Sequence, residues 1–185
     1  MRRFRILLAA LSMVPSVVLA ASPDVGGPFQ LTDQDGRAVT QASFAGRPLL
    51  LYFGYTSCPD VCPVDLAKIV KIAGAVRQAS GMTVTPVFVT IDPERDTPTR
   101  LQAYVRAFGK DVVGLTGTTA QIGAITDEYH VYFKKVTVDG GYLMDHSTML
   151  FLVGSNGAYL DHYGRKLPED DVVRRVVTTL HASGT

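Results

Sequence analysis

Both cysteines of the chain, its most reactive side chains, lie in one short loop. The loop has the sequence Tyr55-Thr56-Ser57-Cys58-Pro59-Asp60-Val61-Cys62-Pro63. Each cysteine precedes a proline, and a residue in that position is disfavoured in the α-helical conformation. Proline is well tolerated at the first helical position, so we expect a helix to begin at Pro63 with Cys62 as its N-cap. A thiolate there would face unpaired backbone N–H groups, which lower a cysteine pKa. We therefore expect both thiols to be reactive and exposed.

Three kinds of chemistry remain open to Cys58 and Cys62. A structural disulfide would close a loop of only three intervening residues, so it would restrain little of the unfolded chain. A dithiol redox pair is the second interpretation, although the usual redox motif has two residues between its cysteines. A soft-metal site is the third, because thiolates a few residues apart chelate Cu(I) in preference to Mg²⁺ or Ca²⁺. Such a site needs at least one more ligand.

The elements around this loop alternate in the order of a layered α/β domain. The apolar run 48–55 predicts a buried strand before the cysteines, and helical spacing predicts a helix that ends at Ser80-Gly81. A β-branched strand over 83–91 follows, and Thr97-Pro98 is typical of a helix N-terminus. Beyond it the pattern predicts a strand, a helix, an edge strand, a β-hairpin and a closing helix, at 112–115, 119–129, 131–138, 146–163 and 168–181.

This element order predicts a thioredoxin-like α/β fold, in which helices flank a central mixed β-sheet. Before that core, the alternation at 29–32 and the turn signal Asp35-Gly36 predict an extra N-terminal β-hairpin. The segment before the final β-hairpin is predicted to be an insertion into the fold.

Among the four histidines, His146 is the strongest candidate for a third ligand. It stands in Met144-Asp145-His146-Ser147-Thr148, at the start of the apolar strand that a thioredoxin-like fold brings opposite its cysteine loop. Met144 is a candidate thioether ligand, but core packing explains it better. The other histidines are expected at helix ends or on an outer strand, at the surface: His130, His162 and His181.

The N-terminus predicts a secretory signal peptide at 1–20. Three arginines precede an apolar run at 6–19, and Ala20 fits the small residue before a cleavage site. An uncleaved anchor is the alternative, although the run is short for a membrane span. The remainder, 21–185, has the length of a single domain with its own core.

Composition excludes several classes of protein. A hydrophobic content of 46% with 19% charged residues excludes disorder. Without the three N-terminal arginines, 15 basic residues face 17 acidic ones, and the net charge falls from +1 to −2. A mildly acidic domain without a basic run binds nucleic acid poorly, so we expect no nucleic-acid partner. Two cysteines are also too few for a disulfide-framed scaffold.

Three blocks of sequence together resemble the Sco/SenC family. The first is 52–63, which contains both cysteines, and the second is 89–98, with the sequence VTIDPERDTP. The third is Asp145-His146-Ser147 before an apolar strand. The blocks come in the family's order, and the resemblance runs from about Gly26 to the C-terminus.

The resemblance implies an exported or membrane-tethered thioredoxin-like domain that binds one copper ion, Cu(I) or Cu(II), through Cys58, Cys62 and His146. It implies a role in assembling the dinuclear copper centre of cytochrome c oxidase, as a metallochaperone, as a reductant of that centre's cysteines, or as both. The implied partners are the copper-receiving oxidase subunit and another periplasmic copper chaperone. The implied location is the bacterial periplasm or the outer face of the inner membrane. Asp92 and Asp96 lie in the second block without an assigned role.

The alternative function is a thiol-disulfide oxidoreductase or a redox sensor that uses the Cys58/Cys62 pair. A peroxidase of the same broad fold is a further enzyme class. Oxidation of both thiols to a disulfide would abolish copper binding, so copper loading and oxidation exclude each other. A disulfide enzyme does not need His146, whereas the three-ligand copper site does.

Overall fold

The computed structural model describes residues 25–184, and the predicted signal peptide lies outside them. Nine strands, four α-helices and one short 3-10 helix follow one another in these residues. In chain order they are β1 Gln30–Asp33, β2 Ala38–Thr40, the 3-10 helix Gln41–Phe44, β3 Leu49–Gly54, α1 Val61–Ser80, β4 Thr85–Thr90, α2 Pro98–Arg106, β5 Val113–Thr116, α3 Thr119–Glu128, β6 Phe133–Val138, β7 Gly141–His146, β8 Met149–Val153, β9 Tyr159–Gly164 and α4 Glu169–Ala182.

Seven of these strands form a mixed sheet in the order β2-β1-β5-β4-β3-β8-β9. The three central strands β3, β4 and β5 are parallel, and antiparallel strands extend the sheet on both sides. Every residue of β3 is buried, as expected for a strand covered on both faces. The predicted fold class, including the N-terminal hairpin β1–β2, is confirmed.

The parallel pairing of β3 and β4 places two loops side by side. Gly54, the last residue of β3, is in register with Thr90, the last residue of β4. The cysteine loop follows β3 and the 91–97 loop follows β4, so both leave the same edge of the sheet. Open α/β sheets form their binding sites at this edge.

The helices begin and end near the predicted positions. Thr97 caps α2, since its side chain accepts a hydrogen bond from the N–H of Arg100. Gly81 ends α1 in the left-handed conformation at φ 76°, which glycine adopts without steric cost. Helix α1 packs against α4, and their apolar faces bury Leu66, Ile69, Val176 and Leu180. None of the described helices is long and apolar enough to cross a membrane.

Residues 131–146 depart from the prediction. Strand β6, expected at an edge of the main sheet, instead pairs with β7 in a separate two-stranded ribbon. Gly140 and Gly141 reverse the chain at φ 81° and 158°, and the following residues run back along β6. His146 was predicted at the start of the final hairpin, but it ends β7, and β8 begins only at Met149. The ribbon is the predicted insertion.

Candidate metal centre

The cysteine loop enters α1 earlier than the sequence predicts. The N–H of Cys58 closes a turn onto the carbonyl of Tyr55 at 3.2 Å, and Asp60 is the N-cap of a helix that starts at Val61. Cys62 therefore lies in the first helical turn, and the expectation that it caps the helix is wrong. Pro63 is tolerated there because the N–H groups of a first turn have no helical partner to lose.

The two thiols differ in burial and in acidity. Cys62 is 0% exposed, and burial, followed by its hydrogen bond to Cys58, raises its pKa. Burial also acts to raise the pKa of Cys58, which is half-buried. Hydrogen bonds from the Cys62 thiol and from the backbone N–H groups of residues 60–62 outweigh this effect, so the pKa of Cys58 is lowered. The more accessible and more acidic thiol is thus Cys58, and the expectation that Cys62 is exposed with a lowered pKa is wrong.

His146 reaches the buried cysteine from the end of β7. Its Nε2 lies 3.6 Å from Cys62 Sγ, and its Nδ1 lies 2.8 Å from the carbonyl oxygen of Ser147. A carbonyl can only accept a hydrogen bond, so Nδ1 carries the proton and Nε2 presents its lone pair to the sulfur. Burial lowers the pKa of His146, which favours the neutral imidazole that binds metals.

Two tyrosines, Tyr52 within β3 and Tyr55 directly after it, pack against the imidazole. The rings of Tyr52 and Tyr55 meet it edge-on, with centroids at 6.5 and 6.0 Å. Behind them, the hydroxyl of Tyr52 donates to Asp65 Oδ2 at 3.1 Å, and Arg165 Nε contacts Asp65 Oδ1 at 2.9 Å. Sequence reasoning missed these supports, although Tyr55 lies only three residues before Cys58.

The second of the three sequence blocks, residues 89–98, forms the loop beside the cysteines. Asp96 is 0% exposed and accepts hydrogen bonds from the Thr56 N–H, the Thr56 hydroxyl and the Thr90 hydroxyl, at 2.9, 2.5 and 2.6 Å. Asp92 pairs with Arg95 and accepts from the hydroxyl of Tyr142 at 2.9 Å. The block thus fixes the cysteine loop on one side and the β6–β7 ribbon on the other.

The donor set suits a soft metal ion. Two sulfurs and one neutral imidazole nitrogen are ligands that Cu(I) prefers. Cys58 Sγ accepts a hydrogen bond from the Cys62 N–H at 3.4 Å, so the loop holds Cys58 beside Cys62, whose sulfur lies 3.6 Å from His146 Nε2. In residues 25–184, no three His, Cys, Asp or Glu side chains already form a group that could hold a metal. Cys62 therefore contacts both other candidate ligands, but the three do not form a closed coordination set.

The other sequence candidates lie outside this group. Met144 is 8% exposed and belongs to the hydrophobic core, as core packing predicts. The remaining histidines are exposed, as expected: His130, His162 and His181.

Comparisons with known proteins agree on one family. The SCO1/SenC family model matches residues 18–181. The mitochondrial SCO1 homolog 1 of Arabidopsis thaliana is 37% identical over 159 residues, which are 85% of this chain and 48% of that protein. The chain thus spans about half the length of this curated relative.

Two solved structures extend the comparison. The crystal structure of Arabidopsis thaliana ScoI with copper bound superposes with a TM-score of 0.83 at 36% identity, covering 85% of this chain and 99% of that one. BsSco, in which a disulfide switch was identified, is called a member of the Sco family of cytochrome c oxidase assembly proteins. It matches with a TM-score of 0.69, covering 86% of this chain and 96% of that one, but at 24% identity it shows the fold alone.

Proposed function

The chain belongs to the SCO1/SenC family, and on that premise we propose that it binds copper and serves cytochrome c oxidase assembly. It delivers copper to the dinuclear centre of the oxidase, reduces the cysteines of that centre, or does both. The observation that carries this proposal is the 3.6 Å approach of His146 Nε2 to Cys62 Sγ, beside a second thiol on the same loop. The copper in the Arabidopsis structure supports it.

In this proposal Cys58, Cys62 and His146 hold one copper ion per chain, as Cu(I) or Cu(II). Cys58 is half-buried and Cys62 is fully buried, so an incoming partner thiolate reaches the bound copper ion from the Cys58 side. Copper then leaves by stepwise ligand exchange, with the bond to Cys58 replaced before the bond to Cys62. The partners are the copper-receiving oxidase subunit and, upstream, another periplasmic copper chaperone.

A Cu(I) titration of the reduced protein against a competing chelator tests the copper site. We expect Cys58→Ala, Cys62→Ala and His146→Ala each to weaken Cu(I) binding by at least about tenfold. His162→Ala is the matched control, since it removes an exposed imidazole from the outer strand β9. Wild-type affinity in the His146→Ala variant would contradict the three-ligand site.

A thiol-disulfide reductase is the second candidate, favoured by the unequal acidity of the two thiols. The Cys58 thiolate attacks a partner disulfide and releases one partner thiolate. Cys62 then attacks the mixed disulfide, so that a Cys58–Cys62 disulfide forms and the second partner thiolate leaves. The partner gains two electrons and, after protonation, two protons. His146→Ala should leave this exchange rate nearly unchanged while it weakens copper binding.

We also propose that residues 1–20 export the protein to the periplasm or the outer face of the inner membrane. The basic start and apolar run of these residues support this location. Residues 21–185 then form the single copper-binding domain. Fusion of residues 1–24 to a reporter enzyme that is active only after export tests the location, and an inactive fusion would contradict it.

A further inference from the structure

The β6–β7 ribbon carries His146 but does not belong to the central sheet. Its two strands pair with each other, and within the described residues no ladder joins them to the seven-stranded sheet. A two-stranded ribbon with no contacts to the rest of a protein is only marginally stable in water. Side-chain contacts must therefore set where the ribbon, and with it His146, lies over the cysteines.

We propose that Arg95 is the positioning residue that fixes the ribbon, and so His146, against the cysteine loop. This inference rests on the proposed copper function, but its structural part can be tested without copper.

Arg95 contacts the ribbon at Tyr142, four residues before His146. Its Nη1 donates to the carbonyl oxygen of Tyr142 at 2.9 Å, and its Nε pairs with Asp92 Oδ2. The other oxygen of Asp92 accepts from the Tyr142 hydroxyl at 2.9 Å. Arg95 and Asp92 thus hold one residue of the ribbon by both its backbone and its side chain.

The Arg95 guanidinium also contacts aromatic rings on both the ribbon and the cysteine loop. The guanidinium carbon of Arg95 lies 3.7 Å from the centroid of the Tyr142 ring and 5.6 Å from that of the Tyr55 ring. The Tyr55 ring in turn meets the His146 ring edge-on, with centroids 6.0 Å apart. One guanidinium therefore spans from the segment that precedes Cys58 to the strand that ends at His146.

Burial makes these contacts strong relative to the other ion pair of the ribbon. Asp92 is 2% exposed and the Arg95 side chain is 25% exposed. The Lys135–Glu94 pair is 44% and 60% exposed, and such surface pairs contribute little. Arg95 Nη2 is buried without a hydrogen-bond partner among residues 25–184, and the contacts of the guanidinium besides its hydrogen bonds are with the Tyr142 and Tyr55 rings.

A Cu(I) competition titration with a double-mutant cycle tests the proposal. Arg95→Met keeps an apolar side chain of similar length but removes the hydrogen bonds. We expect it to weaken Cu(I) binding by about tenfold or more, the usual effect of losing a residue that orients a ligand. In a His146→Ala background the same change should alter affinity less than about twofold, because no imidazole remains to be positioned.

Lys134→Met is the control for charge. Lys134 is on the same ribbon, in register with Asp145 beside His146, but alternation places it on the opposite face from Tyr142. Three results would overturn the proposal. Lys134→Met could weaken Cu(I) binding as much as Arg95→Met does, Arg95→Met could weaken it equally in the wild-type and His146→Ala backgrounds, or Arg95→Met could bind Cu(I) with wild-type affinity.

A measurement on the metal-free protein separates this proposal from the copper function. NMR of the His146 ring nitrogens should show a changed environment in Arg95→Met and an unchanged one in Lys134→Met. If the wild-type protein binds no Cu(I), the copper function fails, and the ring resonances alone decide the role of Arg95. If Arg95→Met does not fold, Tyr142→Phe replaces it, because this change removes only the hydrogen bond to Asp92. It should weaken Cu(I) binding less than Arg95→Met would, and only when His146 is present.

Discussion

At the scale of single residues, one loop gives its two thiols opposite properties. Cys58 faces the N–H groups at the start of α1, whereas Cys62 turns into the core beneath them. A half-buried, more acidic thiol beside a fully buried, weakly acidic one gives the motif one ligand that a partner can reach and one that the core retains. The same asymmetry serves copper transfer and disulfide exchange: a partner thiolate reaches a bound copper ion from the accessible Cys58 side, and the Cys58 thiolate is the group that attacks a partner disulfide.

Alkylation of the reduced protein should reveal this asymmetry. With limiting iodoacetamide near pH 7, we expect Cys58 to react at least about tenfold faster than Cys62, because only Cys58 combines access with a lowered pKa. Peptide mass mapping over time measures both rates. In urea the two rates should converge, and faster modification of Cys62 in the folded protein would refute the assignment.

Gly54 leaves room for the buried thiol. A Cβ at this position would lie 3.2 Å from Cys62 Sγ and 2.9 Å from Phe88 Cε2. We expect Gly54→Ala to destabilise the fold by about 1–3 kcal/mol through overpacking, and to weaken Cu(I) binding by displacing the sulfur. Thermal unfolding and Cu(I) titration measure the two effects.

Gly74→Ala is the matched control for Gly54→Ala. It lies inside α1, and apart from its chain neighbours and the backbone of its own helix, no heavy atom of the described chain lies within 4 Å of an added Cβ. The change should stabilise the helix by roughly 0.5–1 kcal/mol and leave copper affinity unchanged. If the two variants showed equal stability and equal Cu(I) affinity, the close approach of Gly54 to Cys62 would not affect either property.

The sequence identifies the site residues more easily than their properties. Cysteines and a histidine are recognisable by type, and the strand before Cys58 by its apolar run. The order of the two pKa values depends on which thiol is buried, and the sequence does not show that Cys62 turns into the core. Arg95 and Tyr142 belong to no metal-binding pattern, so their contact with the site emerges only from the fold.

At the scale of elements, the site is made by two neighbouring loops and one ribbon. Adjacent parallel strands were predictable from their apolar runs, and their register brings the cysteine loop beside the 91–97 loop. The partner of β6 was not predictable, because an alternating strand shows which face is buried but not which strand lies beside it. The resulting error moved His146 from the end of β7 to the start of β8.

Asp96 joins the two loops and should be important for stability. Asp96→Ala leaves the Thr56 N–H and two hydroxyls without their acceptor in a buried site, which we expect to cost about 3 kcal/mol. For a domain of this size that corresponds to roughly 6–12 °C in Tm. Asp111→Ala, at an exposed carboxylate near the opposite edge of the sheet, should shift Tm by less than about 2 °C. Equal shifts in the two variants would contradict the role given to Asp96.

At the scale of the whole molecule, the oxidation state and copper loading are linked. Both cysteines are free thiols in the structure, and both sulfurs belong to the proposed donor set. A disulfide would use the lone pairs and charges that copper requires, so the reduced protein can take copper and the oxidised protein can only take electrons. Stability should report this linkage, because a ligand that binds only the folded state raises its unfolding free energy.

Thermal unfolding in four states tests the linkage: reduced or oxidised protein, each with or without Cu(I). At a free Cu(I) concentration about a thousandfold above Kd, the reduced protein should gain about 4 kcal/mol, or roughly 8–16 °C in Tm. The oxidised protein should gain nothing, and reduced Cys58→Ala should gain less than the wild type at the same buffered Cu(I). An equal gain in the oxidised wild type would place the metal on other ligands, since no thiolate remains in that state to hold it.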